Sequence, residues 1–175
     1  MRVLIVSDIH GNFECMKKVI QNDSSFDKLL ILGDILSGPR RSGCDYEQLA
    51  LFLNLFKDKI LAVRGNCDYD VSLLEFPVDK LYMLVPIDGM KVVMTHGHHY
   101  FKSHPPEGVD FDVFLSGHSH VPSMEPIGEK LYLNPGSISN PRGTSGKSYI
   151  LYEDGEFSLK SVESNKVLRK VKRKI

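Results

Sequence analysis

The chain has 175 residues, of which 42% are hydrophobic and 25% charged, and its 22 basic and 22 acidic side chains balance. This length and balance are typical of one globular domain and unlike a chain built mainly to coat nucleic acid or an anionic membrane. The three cysteines include no Cys-x-x-Cys pair. Three scattered cysteines are too few for a disulfide framework, and the missing Cys-x-x-Cys pair excludes a zinc–thiolate site of that type.

The start of the chain lacks the features of a targeting segment. The apolar run after Met1 has only four residues before Ser7 and Asp8, and a signal peptide needs about 7–15. No stretch approaches the ~18 apolar residues of a membrane span. We therefore expect a cytoplasmic protein with no membrane partner.

Short apolar runs, each followed by glycine and polar residues, recur along the chain. Continuous runs with little alternation predict strands that are covered on both faces. The runs are Val3–Val6, Leu29–Leu32, Ile60–Val63, Val92–Met94 and Val113–Leu115.

Segments with helical periodicity lie between the first three apolar runs. One stripe consists of Phe13, Met16, Val19 and Ile20, and a second of Tyr46, Leu49, Ala50, Leu53 and Phe56. Strands that alternate with amphipathic helices predict an α/β fold. Later in the chain, Asp88-Gly89 and Asp154-Gly155 stand between strand-like runs and predict two β-hairpins.

The organisation that these patterns predict is one domain, residues 1–165, followed by a basic C-terminal tail, 166–175. The tail holds six basic residues and no acidic ones, which leaves a net charge of −6 on the rest of the chain. We expect the tail to be exposed and to fray. Loops are expected at 37–43 and 140–146, where glycine and proline are frequent.

The predicted strands end in residues that bind metals. Carboxylates, amides and imidazoles at the carboxyl ends of strands in an open α/β sheet can converge at one edge. Seven such donors exceed what one tetrahedral ion needs and suit two ions, with Asp34 as the carboxylate that both would share. The candidates are Asp8, His10, Asp34, Asn66, His96, His118 and His120.

These motifs, in this order, resemble those of the calcineurin-like metallophosphoesterases. The segments that carry the resemblance are Asp8-Ile9-His10, Gly33-Asp34, Gly65-Asn66-Cys67-Asp68, Thr95-His96 and Gly117-His118-Ser119-His120. Within that superfamily, Leu133-Asn134-Pro135-Gly136-Ser137, Pro141-Arg142 and the cysteine after Asn66 resemble the YfcE-type phosphodiesterases.

The resemblance implies a fold, a cofactor and a reaction. The fold is a four-layer αββα sandwich of two mixed β-sheets flanked by helices. Two divalent ions are implied, manganese by resemblance, with iron, nickel, cobalt and zinc left open by the donor types. A hydroxide that bridges the ions would attack the phosphorus of a phosphodiester.

The resemblance also sorts the site residues. Asp8, His10, Asp34 and His120 would hold the first metal, and Asp34, Asn66, His96 and His118 the second. The catalytic set is then Asp34, Asn66, Cys67, Asp68 and His96, in which Asp68 supports the site rather than binding metal. Many members of the superfamily have histidine where this chain has Cys67, and a thiol is a poor general acid. We therefore expect activated aryl diesters to be cleaved best.

Several side chains allow two interpretations. His98 either faces the substrate or the outer shell of a metal ligand, or is part of an ordinary polar loop. His99 and His104 are predicted to lie on the surface. Cys67 is either reactive or an inert thiol. Arg142 either binds a phosphate or is a loop cation. The segment from Asn134 to Ser137 is predicted to pack under the metal site.

Three function classes follow for the whole chain. The leading one is a hydrolase that acts on a small phosphodiester. The second is a binding scaffold, as in a retromer subunit of similar fold that has lost several ligands. The third is a nuclease, which the absence of tryptophan and the acidic body of the chain disfavour. A homo-oligomer is compatible with each class.

Overall fold

The computed structural model describes residues 1–36, 45–144 and 146–172. Two β-sheets pack face to face, and two α-helices cover one outer surface. The helices are α1 (Phe13–Asn22) and α2 (Tyr46–Asn54), and a short 3-10 helix spans Lys57–Lys59. The strands are β1 (Arg2–Val6), β2 (Lys28–Ile31), β3 (Ile60–Ala62), β4 (Tyr82–Ile87), β5 (Met90–Thr95), β6 (Val113–Leu115), β7 (Ser123–Ile127), β8 (Lys130–Asn134), β9 (Ser148–Glu153), β10 (Glu156–Ser161) and β11 (Val167–Lys172).

The first sheet has six strands in the order β11-β10-β9-β1-β2-β3. Strand β1 pairs in parallel with β2 and antiparallel with β9, so the sheet is mixed. Val3 and Ile5 face the second sheet, whereas Leu4 and Val6 face the helices. Burial on both faces explains why the strand is one continuous apolar run rather than an alternating one.

Both helices pack on the outer face of this six-stranded sheet. Asn12 caps α1 by accepting a hydrogen bond from the Cys15 amide, and Asp45 caps α2 in the same way. Met16, Val19 and Ile20 of α1 are buried, as are Leu49, Ala50 and Leu53 of α2. These are the central residues of the two predicted stripes, which confirms the helices.

The second sheet has five strands in the order β4-β5-β6-β8-β7. The predicted hairpins form β4–β5 and β9–β10, and their turn residues Asp88 and Asp154 have φ angles of 45° and 51°. A third hairpin, β7–β8, was not predicted. It turns through Gly128-Glu129, a weaker signal than Asp-Gly, and its first strand contains Pro126, a residue type that argues against a strand.

The fold is the two-sheet α/β sandwich that the resemblance implies. One core lies between the sheets, and a second lies between the six-stranded sheet and the helices. The outer face of the five-stranded sheet carries Phe114 and Tyr132, which pack with Phe111 from the segment before β6. No helix of the described ranges combines the length and the apolar character needed to cross a bilayer.

The basic segment near the end of the chain differs from the prediction. Its side chains are mostly exposed, as expected, but residues 167–172 do not fray; they form β11, which pairs with β10. Charged side chains are common on an edge strand because they discourage pairing with another chain. Of the two predicted loops, 37–43 lies outside the described residues.

A largely buried ionic cluster ties the neighbouring strands β10, β9 and β1 to the C-terminal end of α1. The Asp23 carboxylate accepts hydrogen bonds from Arg2 (2.6 Å), Lys160 (2.6 Å) and the Tyr149 hydroxyl (2.5 Å). Burial alone would raise the pKa of Asp23, but these donors outweigh it and lower the pKa overall. The cluster therefore stabilises the fold only while Asp23 is ionised.

Replacing Asp23 with asparagine should lower the free energy of unfolding by about 3 kcal/mol at pH 7, because Lys160 loses its buried partner. The folded-state pKa of Asp23 is depressed, so its contribution is complete above the unfolded pKa of about 3.9 and is lost as the pH falls further. In thermal melts, the wild type and D23N should differ most at pH 7, and the difference should shrink as the pH falls towards the lowered folded-state pKa of Asp23. Substitution of exposed Asp110 by asparagine is the control, and equal melting of D23N and wild type at pH 7 would contradict the assignment.

Candidate metal centre

The predicted ligands follow the carboxyl ends of five strands that meet at one end of the sandwich. Asp8 and His10 follow β1, Asp34 follows β2 and Asn66 follows β3 in the six-stranded sheet. His96 follows β5, and His118 and His120 follow β6 in the other sheet. The His118 amide donates to Oδ2 of Asp8 (3.0 Å), which joins the two sheets at this end.

Asp8, His10 and His120 form the first cluster of donor atoms, and all three are buried. Nε2 of His120 lies 3.1 Å from Oδ1 of Asp8, and Nε2 of His10 lies 3.9 Å from the same oxygen. The two imidazole Nε2 atoms are 3.4 Å apart. Three potential ligand atoms therefore surround one point.

Asp34 connects this cluster to a second one. Its Oδ2 atom lies 3.8 Å from Nε2 of His10 and 3.5 Å from Nε2 of His96. On the far side, Nε2 of His96 lies 3.0 Å from Oδ1 of Asn66. A carboxylate placed between two sets of donors is suited to bind two cations at once.

His118 and His98 lie at the outer side of the second cluster. The His118 ring contacts the His96 ring edge-on, with centroids 5.1 Å apart, and the His98 ring lies 5.3 Å from that of His96. His118 is exposed and belongs to none of the groups of three close donors. Burial and the neighbouring His96 lower the pKa of both His98 and His118, which favours neutral imidazoles.

The orientation of the rings indicates what these clusters can bind. Nδ1 of His120 donates to the Asn140 carbonyl (2.6 Å) and Nδ1 of His96 to the Leu32 carbonyl (2.7 Å). A carbonyl oxygen can only accept, so each Nδ1 carries the hydrogen and each neutral ring presents Nε2 as a lone pair. Carbonyl contacts of this kind fix the tautomer and orientation of metal-binding histidines.

Oδ1 of Asp8 is a further atom that indicates what the first cluster can bind. It is buried, and among the described residues no donor reaches it with hydrogen-bond geometry, despite the short contact with His120. The carboxylate contact raises the pKa of His120, so a proton and a cation compete for its Nε2. Oxygen and nitrogen lone pairs that face one another without a donor fit a divalent metal ion.

The backbone is strained at the predicted ligands. Asp8, His10, Asp34, His118 and His120 all have φ between 49° and 65°, in the left-handed region. Such angles are uncommon for residues with a side chain and persist where the surrounding structure enforces them. Residues in such conformations cluster at functional sites, and here five of the seven predicted ligands adopt them.

Two glycines allow the loops to approach one another. A Cβ atom on Gly117 would lie 1.8 Å from Oγ of Ser7, and one on Gly65 would lie 2.2 Å from Oδ1 of Asp34. Both contacts are far shorter than real Cβ contacts, so only glycine fits. The two glycines therefore let the loops that carry the predicted ligands lie directly against one another.

Asp68 lies beneath the site and supports two loops. Its carboxylate accepts from the amides of Asp34 (2.8 Å), Ile35 (2.8 Å) and Gly65 (2.8 Å). Burial raises the pKa of Asp68 although these three donors act in the opposite direction. The residue thus positions Asp34 and the loop of Asn66 from below.

Substituting Asp68 with asparagine should destabilise the fold by about 1–3 kcal/mol, because the amide group can accept through only one atom and turns its own N–H groups towards a backbone N–H. Thermal melts of the variant and wild type provide the measurement. Exposed Asp70, which accepts hydrogen bonds from Ser72, offers the matched control D70N. Equal melting temperatures for D68N and D70N would show that the three bonds contribute nothing.

The motif that begins at Asn134 holds the opposite side of the site. Nδ2 of Asn134 donates to the Gly117 carbonyl (2.8 Å), and the hydroxyls of Ser137 (2.8 Å) and Ser139 (3.0 Å) donate to the Asp8 carbonyl. The predicted packing role of this motif agrees with these contacts. The contact of Ser139 and the Asn140 carbonyl that orients His120 were not predicted from the sequence.

Cys67 lies at the edge of the two clusters. Its backbone amide donates to Oδ1 of Asp34 (2.7 Å), and its sulfur accepts from the side-chain amide of Asn66 (3.3 Å). The sulfur also lies within a close group of possible ligand atoms from His10 and Asp34. The side chain is half-buried. His99 and His104 are exposed, as predicted, and their rings contact that of Tyr100.

Comparison with known proteins adds independent findings. The model of the calcineurin-like phosphoesterase superfamily domain matches residues 1–155. The chain is 34% identical to phosphodiesterase YfcE of Escherichia coli K12, over 98% of this chain and 97% of that protein. The solved structure of YfcE, described as a phosphoesterase, aligns with a TM-score of 0.90 and 32% identity over 99% of this chain and all of that one. Vps29 of Entamoeba histolytica, solved with zinc, aligns with a TM-score of 0.70 and 18% identity, over 99% of this chain and all of that one, which is a likeness of fold alone.

Proposed function

Because the chain belongs to the calcineurin-like phosphoesterase superfamily, we propose that it is a metal-dependent phosphodiesterase with a binuclear metal centre. Asp8, His10, Asp34 and His120 would hold one ion, and Asp34, Asn66, His96 and His118 the other. The observation that carries the proposal is the position of Asp34 Oδ2, 3.8 Å from His10 Nε2 and 3.5 Å from His96 Nε2.

The donor set fits the chemistry of phosphate ester hydrolysis. Divalent ions bound there would lower the pKa of water and neutralise charge that develops on the phosphoryl oxygens. The chain's own contribution is to hold the donors in place: the carbonyls of Leu32 and Asn140 orient the rings of His96 and His120. Asp68 fixes the loop that presents Asp34.

The choice of an aryl diester as the substrate rests on two observations, one for the diester and one for the aryl leaving group. The relative with 34% identity over nearly the whole chain bears the name phosphodiesterase. Cys67 occupies the edge of the site where many superfamily members have histidine, so a good leaving group compensates for the missing acid. We expect aryl diesters to be the most reactive substrates and manganese to be the preferred ion.

The alternative, a binding scaffold, differs from the enzyme in that several of its metal-ligand positions no longer hold a residue that can bind metal. Vps29 is similar to this chain in fold only, at 18% identity. Here all seven predicted positions carry a competent donor, which favours the hydrolase. Three further expectations stay predictions. They are that the protein is cytoplasmic, that it can form a homo-oligomer and that nucleic acid is a disfavoured substrate.

A metal titration tests the proposal. Chelator-treated protein should bind two Mn²⁺ per chain, melt at a higher temperature when loaded and hydrolyse bis(p-nitrophenyl) phosphate faster than p-nitrophenyl phosphate. Ligands that bind the native state at 1,000 times their Kd stabilise it by about 4 kcal/mol. One bound ion at saturation would contradict the binuclear centre, whereas two bound ions without hydrolysis of any diester would support the scaffold.

A further inference from the structure

An open cavity lies directly beside the first cluster of donors. It has a volume of about 500 Å³ and is lined by His120, Ser139, Asn140, Pro141 and Arg142. Arg142 is the cationic member of this lining, and none of the five residues carries a carboxylate. The volume lies in the range of sites that bind small organic ligands.

The wall of the cavity is fixed relative to the metal-binding side chains. The Arg142 amide donates to the His120 carbonyl (2.9 Å), and the Asn140 carbonyl accepts from the His120 ring (2.6 Å). The Ser137 hydroxyl, which itself donates to the Asp8 carbonyl, accepts from the Asn140 amide (2.8 Å). A group bound in the cavity is therefore held at a set distance from Asp8 and His120.

The Arg142 side chain is exposed at the mouth of this cavity. Among the residues that the structure describes, no carboxylate lies within ion-pair distance of its guanidinium. A guanidinium presents parallel N–H donors that match two phosphate oxygens. An anion in the cavity would thus meet a cation that is not already neutralised.

We propose that this cavity binds a second anionic group on the arm of the phosphodiester that is not cleaved, with Arg142 as the residue that recognises it. The inference rests on the proposed phosphodiesterase function and names its substrate class: diesters that carry an additional terminal phosphate. Arg142 then determines specificity through substrate binding rather than through the chemical step.

Two matched substrates isolate this effect. Both are thymidine 5′-(p-nitrophenyl phosphate), one with a free 3′-hydroxyl and one with a 3′-phosphate, so that the scissile bond and leaving group are identical. The manganese-loaded wild type should prefer the 3′-phosphorylated substrate by about tenfold to 100-fold in kcat/KM, chiefly through KM, the size expected of hydrogen bonds to charged groups.

Variants at Arg142 assign the preference to this side chain. R142Q should reduce the ratio between the two substrates to near one, and R142K should leave an intermediate ratio because it keeps the charge but not the paired donors. The control R169Q removes an exposed arginine from β11 and should keep the wild-type ratio. A ratio in R142Q equal to that of the wild type would overturn the proposal.

Binding measured by calorimetry separates this inference from the proposed function. Metal-loaded protein should bind thymidine 3′,5′-bisphosphate at least about tenfold more tightly than thymidine 5′-phosphate, and R142Q should lose that difference. Equal affinities in the wild type would refute the cavity assignment even if hydrolysis is fast. Absence of hydrolysis with the binding difference intact would refute only the enzymatic function. Affinity that rises steadily with oligonucleotide length would instead indicate a nucleic-acid groove and contradict a site for one anion.

Discussion

Replacing Asp34 with asparagine should lower kcat/KM for an aryl phosphodiester by about 10³-fold or more, a loss of about 4 kcal/mol of transition-state stabilisation. Asparagine has the same shape and keeps an oxygen that can accept from the Cys67 amide (2.7 Å). It loses the negative charge between His10 and His96, where two cations would otherwise be held together. The fold should survive, since the hydrogen bonds to Asp68 come from the backbone of residue 34.

The measurement combines steady-state kinetics, metal content and thermal melts of metal-free protein. D34N should melt close to the metal-free wild type but bind fewer than two Mn²⁺ per chain. Exposed Asp79 provides the control D79N, for which activity and metal content should equal those of the wild type. If D34N loses cooperative unfolding together with activity, then Asp34 supports the fold and the catalytic assignment is wrong.

Replacing Cys67 with histidine should broaden the substrate range towards alkyl and cyclic phosphodiesters. The residue lies at the edge of the site, beside Asn66 and close to His10 and Asp34. An imidazole there can donate a proton near neutral pH, which the thiol does poorly. General acid catalysis contributes about 10²–10⁴-fold, and this range is the upper limit of the gain on poor leaving groups. A p-nitrophenolate needs little protonation, so hydrolysis of the aryl diester should change far less.

The test compares kcat/KM of the wild type, C67H and C67S on one aryl and one alkyl diester at equal metal occupancy. C67S removes the thiol without adding an imidazole, so it should not gain activity on the alkyl diester. Equal changes on both substrates in C67H would mean that residue 67 does not stand where a leaving-group acid acts. The backbone contact of residue 67 with Asp34 is independent of the side chain and should be kept in each variant.

The parts of the fold that were predicted are those in which residue type reports burial. The runs around β1, β2, β3, β5 and β6 are apolar because both faces of each strand are covered, and the polar residues that follow them converge where the strands end. Strands β7 and β11 each lie at the edge of a sheet and are less buried, so their residue types did not indicate a strand. Strand β11 mixes basic and apolar residues without strict alternation and with little burial, so its composition resembles that of a solvated tail.

The site could be predicted in its side chains but not in its backbone contacts. Asp and His after apolar runs indicated metal binding, and Asp68 was expected to support the ligands. The carbonyls of Leu32 and Asn140, which orient His96 and His120, belong to the main chain, and any residue type supplies one. The position of His118 outside the close donor groups depends on the path of its loop, which residue type does not determine.

At the five predicted ligands with left-handed backbone angles, the residue types that fit the backbone differ from those that can bind a metal ion. Asparagine adopts such angles readily and glycine without strain, whereas valine or isoleucine would oppose them. Asparagine at Asp8 or Asp34 thus removes a charge at little cost to folding, while a β-branched residue removes both the charge and the loop. In a saturation library at these positions, the abundance of each variant would depend on how well its residue adopts a left-handed φ. Its activity would depend on whether its side chain can bind a metal ion. A lineage of such chains can lose catalysis through asparagine or glycine and still keep a well-folded sandwich available for another use.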